Sequence, residues 1–181
     1  MDILISAVIG VLTGVIATWA FWRTLLWQQP SLDISNQVSV EVNPITGRKE
    51  FRFKVFNSGK NQVTNIKVNA WLCDLLNVPG GTVARGVHHL PLPNSETLTL
   101  CPPGKEDRPW GLPPERAFVT SPDIDVEEFL SKENHRIMLA IRFSDAITGT
   151  TVVKQVTYTK RELIYGSFAL GGNLDVLPAE G

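Results

Sequence analysis

Charge is scarce in this chain and nearly balanced: 19% of the residues are charged, and the formal net charge is −1. A general nucleic-acid binder carries a basic surplus, so nothing here points to nucleic acid as a partner. Cysteine is scarcer still. Cys73 and Cys101 are too few for a disulfide framework. They could pair in an oxidising compartment or remain buried thiols in a reducing one. Metal-ligand spacings are missing, since there is neither C-x-x-C nor H-x-x-x-H. His88 and His89 are adjacent on an extended segment and would point to opposite faces rather than at one ion. There is no G-x-S-x-G elbow for a nucleophile. Pro79-Gly80-Gly81 has neither the lysine nor the following helix of a phosphate-binding loop. Asn57-Ser-Gly and Asn94-Ser-Glu fail as glycosylation sequons at the third position. No catalytic residue, cofactor or metal is therefore expected. An enzyme would need Cys101, His88 and Asp145 within hydrogen-bond reach of one another, and residue types alone do not supply that geometry.

Apolar sequence, by contrast, is concentrated at the start. Ile3 to Phe21 contains no charged side chain. As a helix, Ile3–Leu26 would measure ~36 Å against a hydrocarbon core of ~30 Å. A transmembrane helix is expected over 3–27. A cleaved signal peptide fits less well, because only Met1 and Asp2 precede the run and Ala17-Thr-Trp-Ala20 has the wrong spacing for cleavage. Trp19, Trp22 and Trp27 gather beside Arg23 at the C-terminal end, the composition of an interfacial belt. On a helical wheel Ser6, Gly10, Thr13, Gly14 and Ala17 share one side, with Ala7 and Ala20, while the bulky aliphatics fall on the other. Ser6-x-x-x-Gly10-x-x-x-Gly14 permits close helix–helix approach, which drives association where lipid removes the hydrophobic drive. Arg23 follows the apolar run, and Arg48, Lys49, Arg52 and Lys54 come later; this charge bias predicts a cytoplasmic C-terminal domain.

After Pro30 the pattern changes to period two. Leu32, Ile34, Val38, Val40 and Val42 share one parity, predicting a strand over Ser31–Val42. Across the turn Asn43–Gly47, Phe51, Phe53 and Val55 face inward, with Arg52 and Lys54 on the solvent side. Val63–Cys73 alternates through Ile66, Val68, Ala70 and Leu72. Residues 77–86 read as a loop, 87–92 as an edge strand capped by Pro91 and Pro93, and Glu96–Cys101 as a further strand. A Pro-rich loop is expected over 102–122. It carries Arg108, Trp110 and Arg116, and a loop of that length is usually functional or disordered. Residues 123–133 read as a short helix capped by Asp123 or Asp125, with Glu127 and Glu128 solvated. His135–Phe143 and Thr151–Thr159 form a second hairpin, and the glycine-rich residues 166–181 read as a flexible tail.

Val55-Phe-Asn-Ser-Gly59 followed by Asn65-Ile-Lys-Val-Asn-Ala-Trp-Leu72 resembles strands B and C of bacterial immunoglobulin-like domains, and 135–159 resembles the last two strands of such a domain. The resemblance implies a sandwich, and the count of about seven strands over 31–165 also makes an antiparallel β-sandwich, with a closed barrel as the architectural alternative; a bacterial inner membrane is expected for the anchor. It implies no particular activity.

The expectation is a single-pass membrane protein that works by homo-oligomerisation, or by pairing with other membrane helices, and by protein–protein contact. It would be a membrane-disrupting effector or an accessory subunit of a membrane complex. Arg108, Trp110 and Arg116 would form the partner-binding loop. A membrane-tethered sensor for a small molecule or peptide is the alternative, favoured if Trp71, Trp110 and the histidines line a pocket. Lys160-Arg161, with Arg23, could touch anionic headgroups, although ordinary solvated charge explains them as well.

Overall fold

The computed structural model describes residues 2–27, 30–104 and 113–179. They form one long helix, α1 (Asp2–Trp27), followed by a mainly β unit. The strands are β1 (Leu32–Ile34), β2 (Val38–Val42), β3 (Lys49–Asn57), β4 (Val63–Val78), β5 (Gly81–Leu90), β6 (Glu96–Leu100), β7 (Glu115–Thr120), β8 (His135–Asp145), β9 (Thr151–Tyr158), β10 (Leu163–Phe168) and β11 (Val176–Pro178). A short helix, α2 (Val126–Phe129), lies between β7 and β8. These eleven described strands exceed the seven expected.

They form two sheets. In the first, β3 is central, between β7 on one edge and β1 and β2 on the other; β2 continues to β10, in parallel, and then to β11. In the second, β4 is flanked by β8 and β9 on one side, while β5 and β6 share its other edge. One buried cluster draws on both sheets, with Phe51, Phe53 and Val55 from β3 meeting Ile66, Val68 and Leu72 from β4 and Ile137, Leu139 and Ile141 from β8. Each set alternates along its strand, so one face of each sheet is apolar. Phe53 and Tyr158 meet at 5.8 Å between ring centroids, and the Tyr158 hydroxyl donates to the Ser35 carbonyl at 2.8 Å. Ser35 interrupts the single strand expected over Ser31–Val42, separating β1 from β2. Its own hydroxyl is used on Leu174 O at 2.6 Å.

The two ends of the sheets differ. Pro30 is buried, and Ser31 is stitched to the turn after β3 through Gly59 N–H on Ser31 O at 3.2 Å. A Cβ at Gly59 would lie 3.1 Å from Ser31 N, so this approach favours glycine. The same end holds the start of β4, the end of β6 and the turn after β8, through the Val63↔Leu100 and Val63↔Asp145 pairs. Asp74 and His135 mark the far end of the second sheet, about 37 Å along β4.

Three expectations change. Residues 77–86 are not a loop: β4 and β5 continue as a two-stranded arm, closed by Pro79-Gly80, with Gly80 at φ +105. Proline followed by a positive-φ glycine is the requirement of a tight turn. The Pro-rich stretch is shortened by β7, whose Glu115–Thr120 pairs with Phe56–Phe51. Lys54 is not on a solvent face. It is 4% exposed, and its ammonium donates to the carbonyls of Ala169, Gly171 and Asn173 at 2.6–2.9 Å while pairing with Glu115 at 2.6 Å.

That arrangement also overturns the flexible tail. Residues 169–173 wrap the Lys54 ammonium, and β11 pairs with β10. Glycine serves close approach here: at Gly166 (φ +150) a Cβ would sit 1.9 Å from Leu177 O. Lys54→Met would strand three carbonyls and a carboxylate. We expect it to lower stability by about 3–5 kcal/mol in urea unfolding of the full chain in mild detergent, with new proteolytic cuts in 169–175. A change under about 1 kcal/mol would contradict the role given to this ammonium.

Candidate functional site

α1 presents the first group of expected residues. Between Ile5 and Thr24 it is long and apolar enough to cross a membrane, and none of it is buried against the rest of the chain. Ser6, Gly10, Thr13, Gly14 and Ala17 are all exposed, and a Cβ at Gly10 or Gly14 would meet nothing within 4 Å. The Thr13 hydroxyl is satisfied within the helix, on Ile9 O at 2.8 Å. Trp19 and Trp22 are exposed, and the Arg23 guanidinium lies 5.7 Å from the Trp19 ring centroid. Trp27 is the last residue of α1. From there to Pro30 the chain can reach at most about 11 Å.

The expected partner-binding loop is divided. Arg108 and Trp110 lie outside the described residues. Arg116 is on β7, paired with Val55, and its guanidinium sits 5.9 Å from the Phe118 ring. It is a strand residue half-buried in the first sheet, because β7 completes the edge of β3. Trp71 and His89 meet edge to face at 5.9 Å on paired strands, but neither lines the grooves beside α2 or between β1 and β9. His88 pairs with Leu72, nine residues along β4 from Val63, whose neighbours include Asp145 and Leu100. That is about 30 Å, so His88 does not join Asp145 and Cys101. Both cysteines are free thiols; Cys73 is buried, which raises its pKa.

The structure gathers other side chains at the far end. Glu127 is not simply solvated: Lys49 donates to it at 2.8 Å, the Tyr165 hydroxyl bonds to the same oxygen, and Lys49 stands 5.7 Å from the Tyr165 ring. Asp125 caps α2 by accepting from the N–H groups of Glu127 and Glu128, and these bonds hold its carboxyl below the usual range. A groove of about 300 Å³ runs beside this cluster, between Arg48, Phe51 and Asp123. Another of about 400 Å³ lies between β1 and β9.

A third groove, of about 630 Å³, runs between the segment after α2 and the single 3-10 turn Lys160–Glu162. Lys132, Arg136, Lys160 and Arg161 line it, with Glu133 and Glu162. Its walls are held in place. Arg136 donates to the carbonyls of Glu133 and His135 at 2.5 and 2.7 Å, and Lys160 donates to Ser131 Oγ at 2.9 Å. Thr159 and Glu162 form a capping box that fixes the turn. Burial opposes ionisation of Glu162, but the hydroxyl and N–H of Thr159, with Arg136 nearby, outweigh it and lower the Glu162 pKa. Of these residues only the Lys160-Arg161 pair stood out in the sequence. It lies at the far end of the sheets from Pro30, away from where α1 joins the domain.

Comparison with known proteins yields no matching family model and no similar curated protein.

Because the folded pKa of Glu162 lies below its unfolded value of about 4.3, its contribution to stability is full above that value and lost as pH falls through the folded pKa. Glu162→Gln should therefore reduce stability at neutral pH by about 1 kcal/mol and by less at an acid pH below the unfolded value. Urea unfolding at the two pH values measures this; an equal loss at both would contradict the cap.

Proposed function

We propose that the protein is a single-pass membrane protein of binding and assembly type, anchored by α1, and that its work is recognition rather than catalysis. The observation that carries this reading is the apolar surface of Ile5–Thr24, wholly unburied by the rest of the chain. A continuous exposed apolar surface of this length is unstable in water and calls for lipid or another helix. The Trp19–Arg23 stack supports an interfacial position for the C-terminal end, and the later basic residues favour a cytoplasmic domain.

Ser6, Gly10, Thr13, Gly14 and Ala17 form the packing face, on which a second copy or another membrane helix would seat. The spacing of these small residues on one side of the helix supports that assignment. The β unit we read as an immunoglobulin-like sandwich. Two sheets with one shared core, and hairpins β2–β3 and β8–β9, support it over a closed barrel. The short connection from Trp27 to Pro30 and the stitching of Ser31 to Gly59 would couple clustering of the domain to the helices. That coupling suits an effector that disturbs the bilayer, or an accessory subunit of a membrane complex. The far-end groove favours a second reading, a tethered domain that binds a small molecule or peptide.

The mass of the detergent-extracted full-length protein tests the assembly. We expect a defined oligomer that becomes monomeric in Gly10→Ile plus Gly14→Ile, with unchanged unfolding of the β unit. A monomer in both would remove assembly through α1 and leave the tethered binding domain.

A further inference from the structure

We propose that the far-end groove is a binding site for a soluble phosphoryl compound, a di- or polyphosphate group held by Lys132, Arg136, Lys160 and Arg161. Arg48, Lys49, Arg52 and Lys54 on and beside β3 each lie within 4 Å of a carboxylate. Lys67, Arg85 and Lys154 do the same. The four groove cations form no such pair among the described residues; Arg116 and Arg142 form none either, but the four line one concavity of about 630 Å³ together, where Arg136 acts on Glu162. Of its two acids, Glu162 is committed to the Thr159 cap. The cavity is within the size range of small-molecule sites.

The donors are positioned for an anion. Two carbonyls fix one nitrogen of the Arg136 guanidinium, which limits the entropy lost when the group binds. Lys160 is held by a neutral hydroxyl rather than by a carboxylate. Guanidinium and ammonium groups bond phosphoryl oxygens by charge-assisted hydrogen bonds, and several around one groove match a multiply charged group better than a single carboxylate. Placement selects the source. The groove lies at the end of the sheets remote from Pro30, so a ligand from solution reaches it more readily than the headgroups around α1. The site is also independent of helix pairing, so loss of oligomers should leave ligand binding untouched.

The test is titration of full-length protein, in neutral phosphatidylcholine nanodiscs, with inorganic pyrophosphate. Calorimetry should show saturable binding that weakens with added salt. Lys160→Glu plus Arg161→Glu should weaken it by about tenfold or more, as should the milder Lys160→Gln plus Arg161→Gln if the first pair impairs folding. Arg142→Glu removes an exposed cation elsewhere on β8 and should change little. Absence of pyrophosphate binding, or equal loss in Arg142→Glu, would overturn the site. So would capture of the nanodiscs by phosphatidylglycerol vesicles with no response to pyrophosphate, which would assign the cations to a lipid surface.

Discussion

The ammonium of Lys54 ties the first sheet together. Burying a charge is costly unless it is paired and hydrogen-bonded, and Lys54 meets that condition with three carbonyls and one carboxylate. Those partners come from parts of the chain far apart in sequence. Glu115 opens β7, and Ala169, Gly171 and Asn173 form the link between β10 and β11. β3 is thus joined to its neighbours by ladder bonds and to the C-terminal segment by the Lys54 ammonium, with the Phe56 ring close against Gly172. The C-terminal segment in turn meets Ser35 through Leu174 and Gln37 through Val176, so the break between β1 and β2 depends on the same closure.

Most strands were legible because one face of each is apolar. The alternation in Phe51–Val55, Ile66–Leu72 and Ile137–Phe143 marks β3, β4 and β8 at a glance, and all of those inward positions are buried. Period two fails where polarity and burial part company. Lys54 follows the alternation of a solvent face, and nothing local announces that a distant glycine-rich segment covers it. The glycines of that segment suggest freedom, whereas Gly166 is there because Leu177 O leaves no room for a Cβ. β7 was hidden between prolines, and the β4–β5 arm looked like a loop because its outer strand is exposed and has no apolar face to read. The small-residue face of α1 was visible as spacing alone. The groove was not visible, since its cations come from segments that only the tertiary fold brings together.

The two ends of the β unit thereby acquire different characters. One end receives the chain from α1 and binds it to the turn after β3 through Ser31, Ser58 and Gly59. The other carries the capped α2, the Lys49–Glu127–Tyr165 cluster and the basic groove. A domain held at its base and open at its tip suits recognition at the tip and assembly at the base. Between the two ends, Tyr158 and Phe53 pack in the core that the two sheets share.

All of this rests on α1 remaining part of the mature protein, as a membrane-spanning anchor. The most direct measurement is the intact mass of the protein recovered from cells, in the membrane fraction after alkaline carbonate washing. The account predicts that the chain stays with the membrane and that its mass includes Ile3–Trp27. Recovery of a soluble chain lacking that segment would identify it as a cleaved signal sequence and contradict the account at its centre.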